Sequence, residues 1–406
     1  MRFCLFFFKK CYNQLLRNII NWRFIMRFFI YAIIFFSFFD LFTQLPVMST
    51  FAESVGATPF IAGLAVGMYS FSNTFGNILS GFWTDKKGPF HVLIIGLLLT
   101  GGSLLLYRFV EEPVLLLAIR FVHGLVAGFI VPAAFTYLAN ATEQTKRGKN
   151  SAISGAFVGI AAIIGPAFSG IMASRQSVPF VFSITAICML ILGVLTLFLL
   201  RNTNIIKSTK QQQAVPVRAF FRNSGTLKAF TGAFFLMFSQ GVIAYQLPLH
   251  VQSLGFDSRM SGMLMSVFGI VAVLVFILPT NRIFDKVAPT YTLAIGIGLM
   301  GISQLILSQS NDSSMLYSAL VCYGIGFGLL FPSINSLLID STSTEVRGKA
   351  YGYFYAFFSF GVVIGSSLLG LLALDHTQGF ILTGVILLIF AGVSLINFSK
   401  EKQAVH

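Results

Sequence analysis

Asp40, Arg120 and His123 are the residues of this 406-residue chain whose types and setting could do chemistry. Asp40 and Arg120 are the two formally charged residues that fall well inside long apolar stretches. An ionisable side chain in hydrocarbon costs about 2.5–3.5 kcal/mol on insertion scales, so its retention points to a task. The chemistry open to such a pair is reversible proton binding, because an adjacent cation favours the ionised carboxylate while burial favours the neutral form. Arg120 would help to set the proton affinity of Asp40. His123, one turn along on nearly the same helix face, can join a relay. Two structural alternatives stand beside this. Asp40 and Arg120 form a static ion pair holding two helices together, and His123 is a satisfied core histidine. Other chemistries are not written in the chain. The apolar stretches hold no paired carboxylates, no His-x3-His spacing and no nucleophile with a recognisable base. A Gly-x4-Gly-Lys-Ser/Thr phosphate loop is absent. Cys4, Cys11, Cys188 and Cys322 form neither a disulfide framework nor a zinc site. The expectation is no enzyme, no metal and no cofactor.

The elements that must position these residues follow from composition. The chain is 56% hydrophobic and 10% charged, with a mean hydropathy of +0.84. Soluble domains are roughly 25% charged, so this chain lacks the polar surface of a soluble enzyme, a disordered protein or a nucleic-acid binder. Its apolar blocks of about 20 residues match a hydrocarbon core of about 30 Å. Twelve transmembrane helices are expected, at 26–50, 60–83, 90–108, 113–139, 150–174, 178–200, 226–250, 259–281, 288–308, 314–339, 350–373 and 377–398. At about 1.5 Å per residue, Asp40 lies about 15 Å from the outer end of helix 1 and Arg120 about 10 Å from that of helix 4, at comparable depth. Residues 201–225 read as a cytoplasmic linker between two six-helix bundles, 26–200 and 226–400, with 401–406 a short tail. Residues 1–25 read as a basic, aromatic extension, either a surface helix or a start assigned upstream of Met26.

The net charge of +14 sets orientation. With a cytoplasmic N-terminus, 23 of the 27 Lys and Arg fall on the inner side, and only Arg108, Arg175 and Arg259 on the outer. Both termini are then cytoplasmic, and the basic excess needs no acidic partner.

The two bundles repeat each other at an offset near 200. Gln44-Leu45-Pro46 recurs as Gln246-Leu247-Pro248, and Ser54-Val55-Gly56 as Ser253-Leu254-Gly255. Asp85-Lys86 recurs as Asp285-Lys286, and Gly124, Gly128 and Pro132 as Gly324, Gly328 and Pro332. Arg147-Gly148-Lys149 recurs as Arg347-Gly348-Lys349, and Gly165 with Gly170 as Gly365 with Gly370. Six spans per copy bring both copies in from the same side, giving a parallel repeat about an axis along the membrane normal. The charge pair is not repeated, since Val242 stands opposite Asp40 and Leu320 opposite Arg120.

On these motifs the chain resembles the major facilitator superfamily and, within it, the twelve-helix drug–proton antiporters, over residues 26–398. The helix 2–3 loop signature stands as Gly81-Phe82-Trp83-Thr84-Asp85-Lys86-Lys87-Gly88, with Pro89-Phe90-His91 where basic residues usually follow. The helix-4 signature is Arg120-x3-Gly124-x3-Gly128. The helix-5 antiporter signature is Gly165-Pro166-Ala167-Phe168-Ser169-Gly170, with Ala152, Ala161 and Ser169 where further glycines usually stand. The resemblance implies an all-α membrane protein of two parallel-repeat six-helix bundles. It implies that helices 1 and 4 line the cavity of the N-terminal half, that Asp85 holds the halves together on the cytoplasmic side, and that Gly165-Pro166 shapes the seam between them. Gly81, Gly88, Gly124, Gly128, Gly170, Arg147, Asp285 and Arg347 join these as conformational residues. Isolated polar groups in the spans (Asn73, Asn77, Gln240, Tyr245, Gln246, Gln304 and Asn335) and 46 phenylalanines offer a cavity lining for an amphipathic ligand. Gln44, Gln240 and Gln246 are the expected substrate contacts. The reading is a proton-coupled exporter of a small amphipathic compound in the plasma membrane, sufficient as a monomer. A siderophore or metabolite exporter, a nutrient importer and a lipid flippase remain open on the same fold.

Overall fold

The computed structural model describes residues 26–140, 147–200, 217–277, 287–343 and 346–404. The N-terminal extension, most of the linker and Asp285 lie outside the described residues, and Asp85, Arg147 and Arg347 are described in backbone only. The described chain is helical throughout. Its long helices are α1 (Met26–Gln44), α2 (Pro59–Lys87), α3 (Pro89–Leu105), α4 (Pro113–Ala127 and Ile130–Asn140), α5 (Arg147–Arg175) and α6 (Val178–Leu199). The second half follows as α7 (Ser224–Ser253), α8 (Ser258–Ile277), α9 (Pro289–Ser308), α10 (Ser313–Asp340), α11 (Arg347–Leu371) and α12 (His376–Ala404). Starts are written locally. Proline in the first turn opens α2, α3, α4, α6 and α9, where a missing N–H costs nothing. Asp312 caps α10 by accepting from the Met315 N–H, a bond that holds its carboxyl below the ordinary range.

Eleven helices among the described residues are apolar and long enough to cross a bilayer. The twelfth, α2, has the length, but Ser70, Ser72, Asn73, Thr74 and Asn77 dilute its hydropathy. Two expected spans are interrupted. Helix 1 was expected to run to residue 50, but it ends at Gln44, turns over Leu45–Val47 and resumes as a seven-residue helix, Met48–Ser54. Helix 4 breaks at Gly128 and Phe129. Each break has a proline within four residues, Pro46 and Pro132, which withholds the N–H due to Phe42 O and Gly128 O. The repeat partners Pro248 and Pro332 lie inside unbroken α7 and α10.

The repeat is visible in packing. In the first half α2 packs on α4 and α3 on α6; in the second, α8 packs on α10 and α9 on α12. Gly56 and Gly255 close equivalent turns with φ of 82° and 83°, a left-handed backbone that glycine enters without penalty. The halves meet along two seams, α2 on α11 and α5 on α8, each joining the second helix of one half to the fifth of the other.

Both seams are tightest on the side away from the start of α1 and the end of α12, here the far side. A Cβ at Gly63 would overlap the Ser366 carbonyl, one at Gly67 would lie 2.8 Å from Val363 Cα, and one at Gly370 would overlap the Pro59 carbonyl. Across the second seam Gly170 faces Ser258 and Gly262, and Ser266 Oγ donates to Ile163 O at 2.7 Å. Backbones this close need residues without side chains. Toward the opposite end the same helices have room, since Gly81, Gly155 and Gly352 have nothing within 4 Å of a Cβ position. Among the described residues, the seams are closely packed on the far side, and α2, α5 and α11 leave open space beside their glycines toward the other end.

A Gly63→Val substitution should prevent far-side closure. The reporter is a Ser261→Cys probe, a seam position 1% exposed here, in a background with all four native cysteines replaced. Its labelling by an impermeant maleimide from the far side should rise about tenfold, and transport should fall. Unchanged labelling would mean that the seam tolerates the side chain.

Candidate functional site

The site is assembled by the α2–α4 contact. Arg120, Gly124 and Gly128 lie one turn apart on one face of α4, and that face meets α2. A Cβ at Gly124 would overlap Ser72 Oγ and Tyr69 O, and one at Gly128 would lie 2.6 Å from Asn73 O. The two glycines let α4 sink onto α2, and Asn73 Nδ2 donates to Gly124 O at 3.2 Å. Arg120 is thereby laid along the α2 backbone, where Nε donates to Ala65 O at 2.7 Å and Nη2 to Val66 O at 3.0 Å. Its guanidinium carbon stands 5.2 Å from the Tyr69 ring centroid.

Asp40 is 1% exposed and Arg120 2%, but they are not direct partners. The carboxylate pairs with His123, whose Nε2 lies 3.1 Å from Asp40 Oδ2. Tyr69 Oη donates to the same oxygen at 3.4 Å, and Gln44 Nε2 donates to Oδ1 at 3.1 Å. Arg120 reaches Asp40 through Gln44, with Nη1 donating to Gln44 Oε1. This corrects the expected arrangement. The edge of Arg120 that could have forked onto Asp40 is taken by α2 carbonyls, while His123, about 60° further around α4, faces α1. His123 Nδ1 sits 3.1 Å from Tyr107 Oη, in the 3-10 turn Leu106–Phe109 that ends α3. The result is a buried chain Tyr107–His123–Asp40–Gln44–Arg120 drawn from three helical elements, α1, α4 and the turn after α3, with Tyr69 of α2 bonded at its side. Tyr107 Oη can donate or accept, so an ionised Asp40 is matched by the Nε2–H tautomer or the cation, and the Nδ1–H tautomer is matched only by a protonated Asp40.

Tyr69 and Tyr107 were not expected in the site. Tyr69 lies four residues before Asn73 on the polar face of α2, a signal that points to the face but not to the carboxylate. Nothing in the sequence marks Tyr107. Gln44 lies inside the network rather than on an open wall. Gln240 accepts from Tyr323 Oη at 3.4 Å in the second half, where Gln304 Nε2 also donates to Ser239 Oγ at 3.0 Å. That uncharged cluster joins α7, α9 and α10, the repeat counterparts of α1, α3 and α4. Gln246 is buried against Gly379 of α12, and its Oε1 has no hydrogen-bond partner among the described residues.

The conformational candidates separate by place. Gly88, with φ of 82°, makes the turn between α2 and α3. Gly165 packs on Phe39 and Phe42 of α1, whereas Pro166 and Gly170 meet Gly262 of α8. Pro166 withholds the N–H due to Ala162 O, and that carbonyl faces Gly269 across the seam. No group of three metal-ligating side chains occurs among the described residues.

The profile of the Major Facilitator Superfamily matches residues 30–278 and, in a second match, 229–404. The chain is 27% identical over 370 residues to the multidrug resistance protein MdtG of Salmonella typhimurium, covering 87% of this chain and 88% of that protein. It is 25% identical over 336 residues to the multi-drug resistance efflux pump PmrA of Streptococcus pneumoniae, covering 79% and 82%. Among solved structures, a variant of the nucleoside transporter NupG superposes with a TM-score of 0.78 at 16% identity, covering 92% of this chain and 99% of that one.

Arg120→Lys should lower the thermal midpoint of the purified protein in detergent, because one ammonium cannot serve three separated acceptors. Arg120→Ala should lower it further, since Gln44 Oε1 and the two α2 carbonyls all lose their donor, at about 1–3 kcal/mol for each buried group left unsatisfied. Leu320→Met at the mirror position should cost under about 1.5 kcal/mol. Equal melting of all three variants would show that Arg120 holds nothing together.

Proposed function

We propose a mode of action on one settled premise: the chain belongs to the Major Facilitator Superfamily. It is a multi-pass membrane transporter, and we read it as a proton-coupled exporter of small amphipathic compounds that works by alternating access. The observation that carries this reading is the buried Asp40–His123 pair, placed in the one half whose helices are broken beside it. The multidrug names of PmrA and MdtG support the substrate class.

An ionised carboxylate only accepts hydrogen bonds, and here it receives three, from Gln44, Tyr69 and His123. On protonation it becomes a donor. His123 Nε2 can then accept only by carrying its proton on Nδ1, toward Tyr107. Uptake and release at Asp40 are thus linked to the histidine tautomer, and the whole chain of bonds rearranges together. Substrate enters from the end of the seams opposite the far side and competes with the proton for this network. Proton binding then favours one arrangement of the seams and substrate the other, by their differential affinity for the two. Asp85, on the last turn of α2, and Arg147 at the start of α5 sit at that end, where they would secure closure in the other state. The same end is read as cytoplasmic, with both termini there and the chain in the plasma membrane. One copy suffices, since the transport path runs between its own halves, and no catalytic step or cofactor is invoked.

In inverted vesicles energised acidic inside, amphipathic cations, neutral drugs and siderophores are added in turn. At least one should trigger proton efflux in the wild type and none in Asp40→Asn. Equal signals would reduce Asp40 to a structural role. In the same assay Asp85→Asn should slow turnover by about tenfold with little change in the half-saturating concentration, the mark of a step other than binding. Unchanged turnover would remove Asp85 from the cycle.

A further inference from the structure

Gln44 occupies a position that no motif assigns. Its amide has one accepting end and one donating end. A guanidinium only donates and a carboxylate only accepts. Between Arg120 and Asp40 the amide therefore has a single orientation, Oε1 toward Arg120 and Nε2 toward Asp40, as found. Nε2 also donates to Asp40 O at 2.9 Å, which turns the side chain back onto its own helix. Gln44 is in addition the last residue of α1. The next three residues form the turn that contains Pro46, and the short helix Met48–Ser54 follows. That helix packs on α2 of its own half and on α7 of the other. Thr50, Phe51 and Ser54 form one wall of a far-side crevice of about 450 Å³, with Pro248 and Gln252 of α7 on another. The repeat supplies an internal control. Gln246-Leu247-Pro248 has the same sequence but no charged pair, and its helix is unbroken.

We propose that Gln44 is the positioning residue that ties the protonation of Asp40 to a far-side gate, with Leu45–Val47 as hinge and Met48–Ser54 as the moving part. The inference rests on the reading of Asp40 as the proton site. When Asp40 is ionised, the amide is locked between two opposite charges and holds the end of α1 in place. When Asp40 carries a proton, Oδ1 no longer demands a donor, the amide loses its fixed orientation, and the hinge is released. The titratable and charged groups facing Asp40 are His123 and Arg120 from α4, Tyr69 from α2 and, through His123, Tyr107 after α3. From α5 it is Phe168 that packs on Phe39 of α1. The gate carries its own carboxylate, Glu53, within electrostatic reach of Tyr245 on α7, and a control removes it.

The test uses the full chain in proteoliposomes, with Ser54→Cys as a reporter labelled from the far side by an impermeant maleimide. The native cysteines are replaced by serine. Labelling is followed between about pH 5.5 and 8.5. In parallel, infrared difference spectra follow the carboxylic-acid C=O stretch that disappears in Asp40→Asn. In the wild type, labelling should change about fivefold and titrate together with that band. In Gln44→Met the band should still titrate while labelling becomes independent of pH. Pro46→Ala, which restores the missing N–H and stiffens the hinge, should do the same and stands in if Gln44→Met does not fold. Labelling that still tracks the band in these variants overturns the role of Gln44. A flat wild-type labelling curve over a titrating band overturns the gate, and so does loss of the pH response in Glu53→Gln. Absence of any titrating Asp40 band removes the proton-site reading itself, and this inference with it.

Discussion

The constraint on which the rest of this structure depends is the burial of one carboxylate and one guanidinium at membrane depth. Neither is tolerated in hydrocarbon unless every donor and acceptor around it is met. Arg120 meets this by lying on the α2 backbone, which α4 reaches only because Gly124 and Gly128 carry no side chains. Asp40 meets it through three donors from three helices. Satisfying two charges thus fixes how α1, α2 and α4 sit against one another, and the end of α3 is drawn in through Tyr107. The N-terminal half is organised around polar bonds where a soluble core would be organised around apolar contact, as expected where lipid removes the hydrophobic incentive for helices to associate.

A second economy governs the seams. If two halves are to part and rejoin, the contact between them must be close without being irreversible. Glycine and serine faces achieve this, giving backbone-to-backbone approach over a large area with few interlocking side chains. Gly63, Gly67 and Gly370 on one seam answer Gly170, Gly262 and Gly269 on the other. The cross-half hydrogen bonds seen between described residues include single hydroxyls, from Thr74 to Ser359, Ser258 to Gly170 O and Ser266 to Ile163 O. Such bonds break one at a time, and water or a neighbouring carbonyl replaces each when the seam opens. No ion pair between described residues spans the far-side seam, so opening there does not leave a charge stranded in hydrocarbon.

Much of this was legible before any coordinates. Apolar blocks placed nearly every helix to within a few residues, because a span must be both long and apolar. The offset repeat anticipated two equivalent halves, since a duplicated sequence keeps its turns, as the glycines at 56 and 255 show. Asp40 and Arg120 were conspicuous because charge in lipid is costly. What could not be read was which partner each charge would choose. Arg120 and His123 differ by about 60° on one helix, less than any periodicity argument resolves. The breaks in α1 and α4 were hidden for a related reason. Pro46 and Pro248 stand in the same tripeptide, yet one ends a helix and the other does not, so the difference lies in tertiary surroundings. Tyr107 was invisible because it enters from a turn whose place is set only once α3, α4 and α6 have packed.

The contrast between the halves carries the last step. In both, the first, third and fourth helices converge on a buried polar cluster. The first half has Asp40, Tyr107 and His123; the second has Ser239 and Gln240, Gln304 and Tyr323. A buried carboxylate needs partners to share its charge, and the second copy, which has none, carries Leu320 and Tyr323 where Arg120 and His123 stand in the first. The charged site lies in the half whose first and fourth helices are broken, whereas their counterparts α7 and α10 run continuously through Pro248 and Pro332.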